Sequence, residues 1–284
     1  MTPTAAPEPD LTGLLASASR RLAAAGIAAA DQEAMLLAQL ARSRAAGSAR
    51  ALFADLVGRR AARVPLAHLT GSVRFRQIEM LVGPGVFVPQ PETGPVVDWA
   101  VDALRRQSSA GSRGPVCVDL CTGAGTIALC LAAELPGASV HAVELDPDAL
   151  AWAARNVEHN GVAVTLHLGD ARNAAHELDG HVDLVASNPP YVATAELPGV
   201  HPEVRDHDPA VALHAGPDGL DVIRAVEAAA RRLVRPGGLV VVEHSDRQGR
   251  SAPAVFAASG AWTDLCDRPD QEGRDRFVTA IRRP

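Results

Sequence analysis

The N-terminal part of the chain carries leucine and alanine at the three- and four-residue spacing of amphipathic helices. A first helix is predicted to begin at Asp10, a favoured N-cap residue, and to end at Gly26. A second helix is predicted with Asp31 as its cap, and a third that ends at Gly58. The pattern therefore predicts a small bundle of about three or four short helices.

Arginines fall between these apolar positions, which is typical of the solvated face of a helix. That interpretation is favoured over a nucleic-acid site, although a protein or ribonucleoprotein partner would fit the same surface. The residues concerned are Arg20, Arg21, Arg42, Arg44, Arg50, Arg59, Arg60 and Arg63.

After the helices, the period of the pattern changes from helical to alternating. Apolar residues alternate with polar ones at 73–75 and again at 78–82, which predicts a β-hairpin. A Pro-x-Pro-Glu-Thr segment follows at 89–93, and its prolines favour an extended linker. Thr93 is predicted to cap a helix that begins near Val96.

Strands and helices alternate from there onward, so we place a domain boundary between residues 1–91 and 92–284. Regular alternation of strand and helix predicts a parallel sheet that is covered by helices on both faces. Strands are predicted at 116–120, 140–144, 162–168, 182–187, 238–243, 261–267 and 276–282, and helices at 96–106, 126–133, 147–160, 218–235 and 252–258.

A glycine-containing turn follows the first of these strands. Gly123-x-Gly125-x-x-Ala128 matches the dinucleotide-binding fingerprint, in which glycines let the backbone approach a ligand and the helix N-terminus offers free N–H groups. Glu144 ends the next strand, at about the spacing at which a carboxylate binds ribose hydroxyls. This order of strand, turn, helix and acid predicts a nucleotide-like ligand.

Acidic residues stand at or just before the ends of three successive strands: Asp119, Glu144 and Asp170. A nicotinamide enzyme needs a phosphate cradle and gains little from acids on three consecutive strands. A ligand with a cationic amino-acid part, a ribose and an adenine would use all three acids. S-adenosylmethionine has that shape, and it is the predicted cofactor.

The fourth strand ends in Asn188, Pro189, Pro190 and Tyr191, the only tyrosine of the chain. Ligands of open α/β sheets bind at such strand ends. Each proline fixes its own φ and pushes the preceding residue into an extended conformation, which holds the Asn188 amide and the nearby carbonyls in a fixed direction. An Asn-Pro pair alone would favour a purely structural role, as a proline-stiffened turn at the end of a strand. Next to the three acids, the turn is predicted to bind the group that accepts a methyl.

Composition and charge exclude several classes of protein. Hydrophobic residues make up 47% and charged residues 21% of the chain, as in a soluble globular protein. Because no apolar run is long enough to cross a bilayer and the N-terminus lacks a signal-peptide pattern, we expect a cytoplasmic protein. The net charge of −6 gives no sign of a basic nucleic-acid footprint.

The cysteines are predicted to be small buried apolar residues. They lack paired C-x-x-C spacing and a secreted context, so neither disulfides nor a metal site is expected. The residues are Cys117, Cys121, Cys130 and Cys266.

The acids, the glycine turn and the Asn-Pro-Pro-Tyr turn together resemble the class I methyltransferases that act on planar nitrogens. Further segments narrow the resemblance to the PrmC/HemK family, which methylates the side-chain nitrogen (N5) of the glutamine in the Gly-Gly-Gln motif of peptide-chain release factors. The resemblance covers roughly residues 10–283. The narrowing segments are Arg63-x-Pro65-Leu66-x-x-Leu69-x-Gly71, Phe75, Val88-Pro89-x-Pro91-Glu92-Thr93 and Asp218-Gly219-Leu220.

The resemblance implies a fold and a partner. The fold is an α/β, Rossmann-like, seven-stranded methyltransferase sheet, mostly parallel with an antiparallel C-terminal strand. A small helical substrate-binding domain and a β-hairpin linker precede the sheet. The implied partner is a release factor, with no nucleic acid and no membrane, and the expected enzyme is a monomer.

The resemblance also implies roles by position. Glu144 would bind the ribose, and Asp170 with Ala171 would lie beside the adenine. The turn from Asn188 to Tyr191 would hold the target amide, with Asn188 also bordering the cofactor. Asp119 is also implied to bind the cofactor, and the residues implied to lie against its methionine part are Cys121, Thr122, Gly123, Ala124 and Gly125.

The chain departs from the family pattern at positions that bear on the linker and the adenine pocket. Gln90 stands where the family usually has arginine, and Gly94 where it usually has glutamate. Glu243-His244-Ser245 replaces the more common Glu-Ile-Gly, and Ala171 replaces a bulky aromatic residue.

The implied chemistry requires the lone pair of an amide nitrogen to be localised, because that pair is delocalised into the carbonyl. Two acceptors for the two N–H bonds would do this, namely the side-chain oxygen of Asn188 and a backbone carbonyl, that of Pro189 being favoured. Tyr191 would pack against the planar amide. No acid, base or metal is required before attack.

Three other interpretations stay open at the level of the residues. An adenine or guanine amino methyltransferase would bring an unpaired or flipped base to the same turn, but normally carries a basic substrate-reading segment. A cofactor sensor without catalysis would have no need of the Asn-Pro-Pro-Tyr turn. An NAD(P) oxidoreductase would use the glycine fingerprint alone.

Overall fold

The computed structural model describes residues 12–107 and 113–284, and these form two compact units. The first unit joins Met1–Gly71 with His201–His207, and the second joins Ser72–Val200 with Asp208–Pro284. The boundary predicted at residue 92 differs from this division, since the hairpin and its linker belong to the second unit. Asp10, the predicted cap of the first helix, lies outside the described residues.

Within residues 12–107 and 113–284 there are ten α-helices and nine β-strands. The helices are α1 (Thr12–Ala24), α2 (Ala30–Arg44), α3 (Ala49–Ala61), α4 (Leu66–Thr70), α5 (Gly94–Gln107), α6 (Thr126–Glu134), α7 (Pro147–Asn160), α8 (Pro202–His207), α9 (Asp221–Leu233) and α10 (Ser251–Ala258). The strands are β1 (Ser72–Phe75), β2 (Ile78–Leu81), β3 (Val116–Leu120), β4 (Ser139–Glu144), β5 (Thr165–Leu168), β6 (Val182–Ser187), β7 (Val234–Glu243), β8 (Trp262–Pro269) and β9 (Asp275–Arg282). Short 3-10 turns lie at Pro91–Thr93, His176–Leu178, Thr194–Gly199, Ala210–Ala212 and Asp246–Gln248.

The first unit is the predicted helical bundle. Leucines of α1 and α2, Leu22 and Leu37, pack with Phe53 of α3 in a buried apolar core. Two local predictions are wrong. Helix α3 continues past Gly58 to Ala61, and Asp31 lies in the first turn of α2, whose N-cap is an alanine without a side-chain cap. Tertiary contacts of the last turn of α3 outweigh the modest helix penalty of a glycine.

Arg60 contradicts the prediction that the arginines line a solvated face, because it is 4% exposed. Its Nε donates to Glu33 Oε2 at 2.5 Å, and its Nη2 donates to Glu203 Oε1 at 2.9 Å. Burial by itself would lower the pKa of Arg60, but hydrogen bonds to Glu33 and Glu203 raise it above the ordinary value, so the guanidinium stays charged. Helical spacing cannot reveal Glu203, which lies on α8, far along the chain.

The second unit contains a sheet of seven strands in the order β5-β4-β3-β6-β7-β9-β8, counted within the described residues. The strands from β3 to β7 pair in parallel, and β9 is antiparallel to both of its neighbours. All six residues of β6 are buried, as expected for a strand of a parallel sheet with helices on both faces. The predicted mostly parallel sheet with an antiparallel C-terminal strand is confirmed.

The strand order reverses between β3 and β6. From β3, the chain continues to β4 and β5 on one side, and then returns to place β6 and β7 on the other side. Such a reversal leaves a crevice at the carboxyl ends of the two central strands, because the connections leave in opposite directions. The fold therefore places its ligand crevice where β3 and β6 end.

The hairpin β1-β2 is confirmed, and α7 holds it in place. Asn156 is fully buried, and its Oδ1 accepts from the backbone N–H of Leu81 at 2.6 Å. Its Nδ2 donates to the carbonyl oxygens of Leu81 at 3.0 Å and of Ala124 at 2.9 Å. One asparagine thus satisfies the edge of β2 and fixes the turn after β3, a role that no sequence pattern indicated.

The cysteines differ from one another in exposure. Cys117 and Cys130 are fully buried as predicted, whereas Cys121 is half-buried and Cys266 is exposed, so the prediction is wrong for Cys266 and holds only in part for Cys121. Among the helices of the described residues, none combines the length and the apolar character needed to cross a membrane.

Candidate active site

The predicted site residues lie at one edge of the sheet because their strands are neighbours in register. Leu120 is paired with Val143 on one side and with Ser187 on the other, so that the turns after β3 and β6 start side by side. The hydroxyl of Ser187 donates to the carbonyl oxygen of Leu120 at 2.6 Å and ties the two turns together. Glu144 is paired with Leu168 at the same edge.

The turn after β3 has a left-handed backbone at three positions. Cys121, Gly123 and Gly125 have φ of 59°, 57° and 92°. A Cβ on Gly125 would lie 2.4 Å from the side chain of Leu129, so only glycine fits there. At Gly123 a Cβ would meet nothing within 4 Å, which shows an open space beside the backbone. The turn thus packs on one side and faces a space on the other.

Cys121 does not supply a nucleophile. Burial, followed by the charges of Glu144 and Asp119, raises the pKa of its thiol well above the ordinary value. Since the thiolate is the reactive form, the side chain contributes shape to the turn rather than covalent chemistry.

Asp119 is 1% exposed, and only one of its carboxylate oxygens is hydrogen-bonded. Its Oδ2 accepts from the hydroxyl of Thr122 at 2.5 Å and from the backbone N–H of Ala128 at 3.1 Å. Its Oδ1 is buried without a hydrogen-bond partner among the described residues. Burial raises the pKa of Asp119 to about 7, against the lowering effect of those two hydrogen bonds.

Glu144, in contrast, is held by backbone donors. Its Oε2 accepts from Gly123 at 2.8 Å, and its Oε1 accepts from Leu145 at 2.8 Å and from Asp146 at 2.9 Å. The carboxylate therefore bridges the turn after β3 and the start of the loop to α7. Since Oε1 already accepts two bonds and Oε2 only one, Oε2 retains a lone pair for a further donor, such as a hydroxyl.

Asp170 follows β5 at the same edge and shapes its own turn. Its Oδ1 accepts from the backbone N–H of Arg172 at 2.9 Å, and its Oδ2 pairs with the Arg172 guanidinium at 2.8 Å. Ala171 is buried beside it. The backbone N–H of Gly169 donates to the carbonyl oxygen of Glu144 at 2.8 Å, which keeps the two turns in contact.

The turn after β6 is partly buried. Asn188 Nδ2 donates to the hydroxyl oxygen of Thr93 at 3.2 Å, and the backbone carbonyl of Tyr191 accepts from Gln248 Nε2 at 3.2 Å. Burial and then the charge of Glu243 raise the pKa of the Tyr191 hydroxyl. Pro189 is buried and Pro190 half-buried, so the turn is packed on both sides.

Two residues next to Asn188 were not identified as site residues from the sequence. Thr93 was predicted as a helix cap, yet α5 begins directly after it at Gly94, and its hydroxyl faces Asn188. Glu243 entered only as part of a departure from the family pattern, and it is 2% exposed at the end of β7. Glu243 could have been recognised from its position, because it is an acidic residue at the carboxyl end of a predicted parallel strand, where ligands bind.

The residues of this edge fit the predicted cofactor. The unpartnered oxygen of Asp119 can accept from an ammonium group, and the open space at Gly123 lets a ligand approach the backbone. The spare lone pair of Glu144 Oε2 suits a hydroxyl of a ribose. The three carboxylates of this edge would repel the phosphates of a dinucleotide, which disfavours such a ligand.

Comparisons with known proteins agree with this geometry. The family model of the methyltransferase small domain matches residues 80–200. The release factor glutamine methyltransferase of Streptomyces coelicolor is 50% identical over 274 residues, which cover 94% of this chain and 96% of that protein. The 4-amino-L-phenylalanine/4-methylamino-L-phenylalanine methyltransferase of Streptomyces pristinaespiralis is 40% identical over 284 residues, with 96% of each chain covered.

A solved structure adds support for the fold alone. The 16S rRNA N2 G1207 methyltransferase of T. thermophilus, in complex with AdoMet and guanosine, aligns with a TM-score of 0.53 at 23% identity, over 75% of this chain and 50% of that chain.

The sequence identity to the Streptomyces coelicolor protein extends over nearly the whole of both chains. The chain therefore belongs to the PrmC/HemK family of release factor glutamine methyltransferases.

Proposed function

We propose that this protein transfers a methyl group from S-adenosylmethionine to the side-chain amide nitrogen of the glutamine in the Gly-Gly-Gln motif of peptide-chain release factors. The position of Asn188 carries the proposal. Its turn begins beside the glycine turn that ends β3, because Ser187 and Leu120 are paired in the sheet. An amide held at Asn188 would therefore lie next to the cofactor.

The protein supplies binding and orientation on the cofactor side. Asp119 accepts a hydrogen bond from the ammonium group, and the backbone of the turn from Cys121 to Gly125 packs against the methionine part. Glu144 binds the ribose, and Asp170 with Ala171 borders the adenine. When bound, S-adenosylmethionine supplies a methyl group on a sulfonium, whose neutral thioether is a good leaving group.

On the acceptor side, Asn188 and Pro189 localise the lone pair of the target nitrogen. The side-chain oxygen of Asn188 and the backbone carbonyl of Pro189 each accept one N–H of the amide. Two accepted hydrogen bonds raise the electron density on nitrogen and fix its direction toward the methyl group. Methyl transfer to this nitrogen would leave the cofactor as a neutral thioether, and one N–H proton of the amide would pass to solvent.

The finer features of the proposal concern the state and place of the protein. We propose that it acts as a cytoplasmic monomer on protein rather than on nucleic acid, in accord with its net charge of −6. Light scattering at micromolar concentration tests the monomer. A mass of twice the chain would contradict it.

The decisive experiment uses tritiated S-adenosylmethionine with purified release factors, followed by mass mapping of the labelled peptide. The expected product is a glutamine heavier by one methyl group in the Gly-Gly-Gln peptide. Parallel reactions contain nucleic acid or free 4-amino-L-phenylalanine. Label in either of these, with none in the release factor, would overturn the proposal.

Asn188→Ala is the matched variant for the same assay. It removes the acceptor oxygen, and we expect methyl transfer to fall below detection while the Kd of S-adenosylmethionine by calorimetry stays within about threefold of wild type. Retained turnover at saturating cofactor would remove Asn188 from the mechanism.

A further inference from the structure

The orientation of the Asn188 amide decides whether the proposed chemistry works. An asparagine side chain can turn its oxygen or its NH₂ group to the substrate, and only the oxygen can accept an N–H. We infer that Thr93 and Glu243 are positioning residues that hold the NH₂ group of Asn188 on their side and thereby present its oxygen to the target amide. This inference rests on the proposed function.

Both residues reach Asn188 from neighbouring elements. Thr93 ends the 3-10 turn before α5, and Glu243 ends β7, whose residue Val242 is paired with Ser187 of β6. Thr93 and Glu243 are each 2% exposed. They are therefore fixed by the sheet and by the turn, rather than held by mobile loops.

The hydrogen bonds among the three side chains run in one direction. Asn188 Nδ2 donates to Thr93 Oγ1 at 3.2 Å. The side chains of Thr93 and Asn188 each lower the pKa of the Glu243 carboxylate, as groups that direct a polar hydrogen toward it do. An ionised carboxylate can only accept, so the group that Asn188 turns toward Glu243 must be its NH₂ group.

The hydroxyl of Thr93 completes this arrangement. Its oxygen accepts from Asn188, so its one proton is available to the Glu243 carboxylate, whose pKa it lowers. If the Asn188 amide turned over, its oxygen would face the Thr93 oxygen and the carboxylate, and no donor would be left between them. That arrangement would leave buried acceptors unpaired, which typically costs about 1–3 kcal/mol per group.

The protonation state of Glu243 controls the arrangement. Burial raises the pKa of Glu243 to about 7, and the hydrogen bonds from Thr93 and Asn188, with the charge of Arg276, oppose that rise. The charge of Glu92 acts in the same direction as burial. A protonated Glu243 becomes a donor and no longer requires the NH₂ group of Asn188. We therefore expect kcat to fall as the pH decreases through about 7.

The facing groups come from each element packed against Glu243. Arg276 lies on β9, and its guanidinium also pairs with Asp270 at 3.2 Å. Glu92 lies in the 3-10 turn, and Tyr191 lies in the turn after β6. One carboxylate oxygen of Glu243, Oε2, is buried and has no hydrogen-bond partner among the described residues, in accord with the dominance of burial.

The test measures kcat, both KM values and the pH profile for four variants with a Gly-Gly-Gln release factor and saturating cofactor. Thr93→Ala should lower kcat by about tenfold to hundredfold with the KM of the cofactor unchanged, because misoriented catalytic groups cost rate of this size. Thr93→Ser keeps the hydroxyl and should restore kcat to within about threefold. Glu243→Gln should lower kcat and remove its inflection near pH 7.

Glu227→Gln is the control for the loss of a buried carboxylate. Glu227 is 6% exposed and accepts from the indole N–H of Trp262 at 2.9 Å. A glutamine oxygen can keep that bond, and Glu227 has no contact with Asn188. Its kcat and pH profile should match those of wild type.

A second measurement reports on orientation without turnover. The side-chain NH₂ signals of Asn188 in a ¹⁵N NMR spectrum, assigned by their loss in Asn188→Ala, should shift in Thr93→Ala and on acidification below pH 7 in wild type but not in Glu243→Gln. Signals that stay in place in all these cases would overturn the inference, as would equal kcat losses in Thr93→Ala and Thr93→Ser. A wild-type enzyme that leaves the release factor unmethylated would instead contradict the proposed function, and the NMR result would still decide the inference.

Discussion

Asp119 and Asp270 are both buried carboxylates of the second unit, and the protein treats them in opposite ways. Asp119 is 1% exposed and Asp270 is 7% exposed. Asp270 accepts from the backbone N–H groups of Glu272 and Arg274 at 2.9 and 3.0 Å, and from Arg276 Nη2 at 3.2 Å. Asp119 has a hydroxyl and one backbone N–H, and its second oxygen has no hydrogen bond within the described residues.

The pKa values follow from these surroundings. Burial raises the pKa of both groups. At Asp270 the hydrogen bonds from Arg274, Glu272 and Arg276 outweigh burial and bring the pKa to about 2, whereas at Asp119 burial prevails and brings it to about 7. A carboxylate that the fold satisfies stabilises the fold. The unpaired oxygen of Asp119, at the ligand crevice, is instead open to a bound donor, in accord with its proposed role.

Glu144 gives the strongest test of this contrast between Asp119 and Asp270. Backbone donors hydrogen-bond both of its oxygens, as at Asp270, and yet we propose that it binds the ligand. Glu144→Ala removes the proposed ribose contact and also three backbone hydrogen bonds, which hold the glycine turn and the start of the loop to α7. We expect the Kd of S-adenosylmethionine to rise by about a hundredfold or more, measured by calorimetry. An unchanged Kd would count against the ribose assignment and would group Glu144 with Asp270.

Asp119→Asn tests the proposed ligand contact of the partly unpaired carboxylate in the contrast between Asp119 and Asp270. The amide keeps the shape of the carboxylate and loses its charge, so the proposed contact to the ammonium group should be weakened. The expected rise in Kd is about tenfold to thirtyfold.

Asp183→Asn is the matched control for Asp119→Asn. Asp183 is a buried carboxylate in β6, where it accepts from the N–H of Val116, the first residue of β3, at 2.8 Å. That contact lies at the opposite end of the sheet from the crevice, so the Kd should equal that of wild type. Equal losses of affinity in the two variants would show that Asp119 acts through the fold alone.

Asp270→Asn should affect stability and leave the cofactor alone. It weakens the hydrogen bonds that Arg274 and Arg276 donate and leaves Arg276, which is 9% exposed, short of a counter-charge. We expect a loss of about 2 kcal/mol, or a decrease in Tm of roughly 5 °C by calorimetric scanning. A change in the Kd of S-adenosylmethionine with an unchanged Tm would reverse the roles given to the two aspartates.

The sequence predicted the parts of this site that a strand end or a motif reveals. The structure places Asp119, Glu144, Asp170 and Asn188 at one edge of the sheet, as their order along the chain predicted, because the C-terminal ends of parallel strands share an edge. The seven strands followed from apolar runs, and the direction of the last strand came from the resemblance to a known family.

What the sequence did not predict depends on partners distant in the chain. Thr93 looked like a helix cap because Ser and Thr before an apolar run usually are, and its actual partner is ninety-five residues away. Arg60 was predicted to be solvated because its partner Glu203 is distant in the sequence, and no local pattern indicates that the two residues pair. Asn156 lies within a predicted helix that gave it no special role. Its hydrogen bonds to the edge of β2 depend on how α7 packs against the hairpin, which the hydrophobic pattern does not show. Local patterns fix elements, whereas single polar contacts between elements are set by tertiary structure.

The smallest expected effect is the pH dependence of stability in the cofactor-free protein. The pKa of Asp119 is raised from 3.8 to about 7, so between these values the folded protein binds a proton that the unfolded chain has released. Stability from this group is therefore present at low pH and lost as the pH rises toward 7. The lowered pKa of Asp270 has the opposite sign, with stability lost only as the pH falls from about 4 toward 2. From pH 5 to pH 8 the Tm of Asp119→Asn should consequently rise relative to wild type by a few degrees, while the difference for Asp270→Asn stays constant. A constant difference for Asp119→Asn across that range would show that the folded protein holds its carboxylate ionised, which would remove the contrast between the two aspartates.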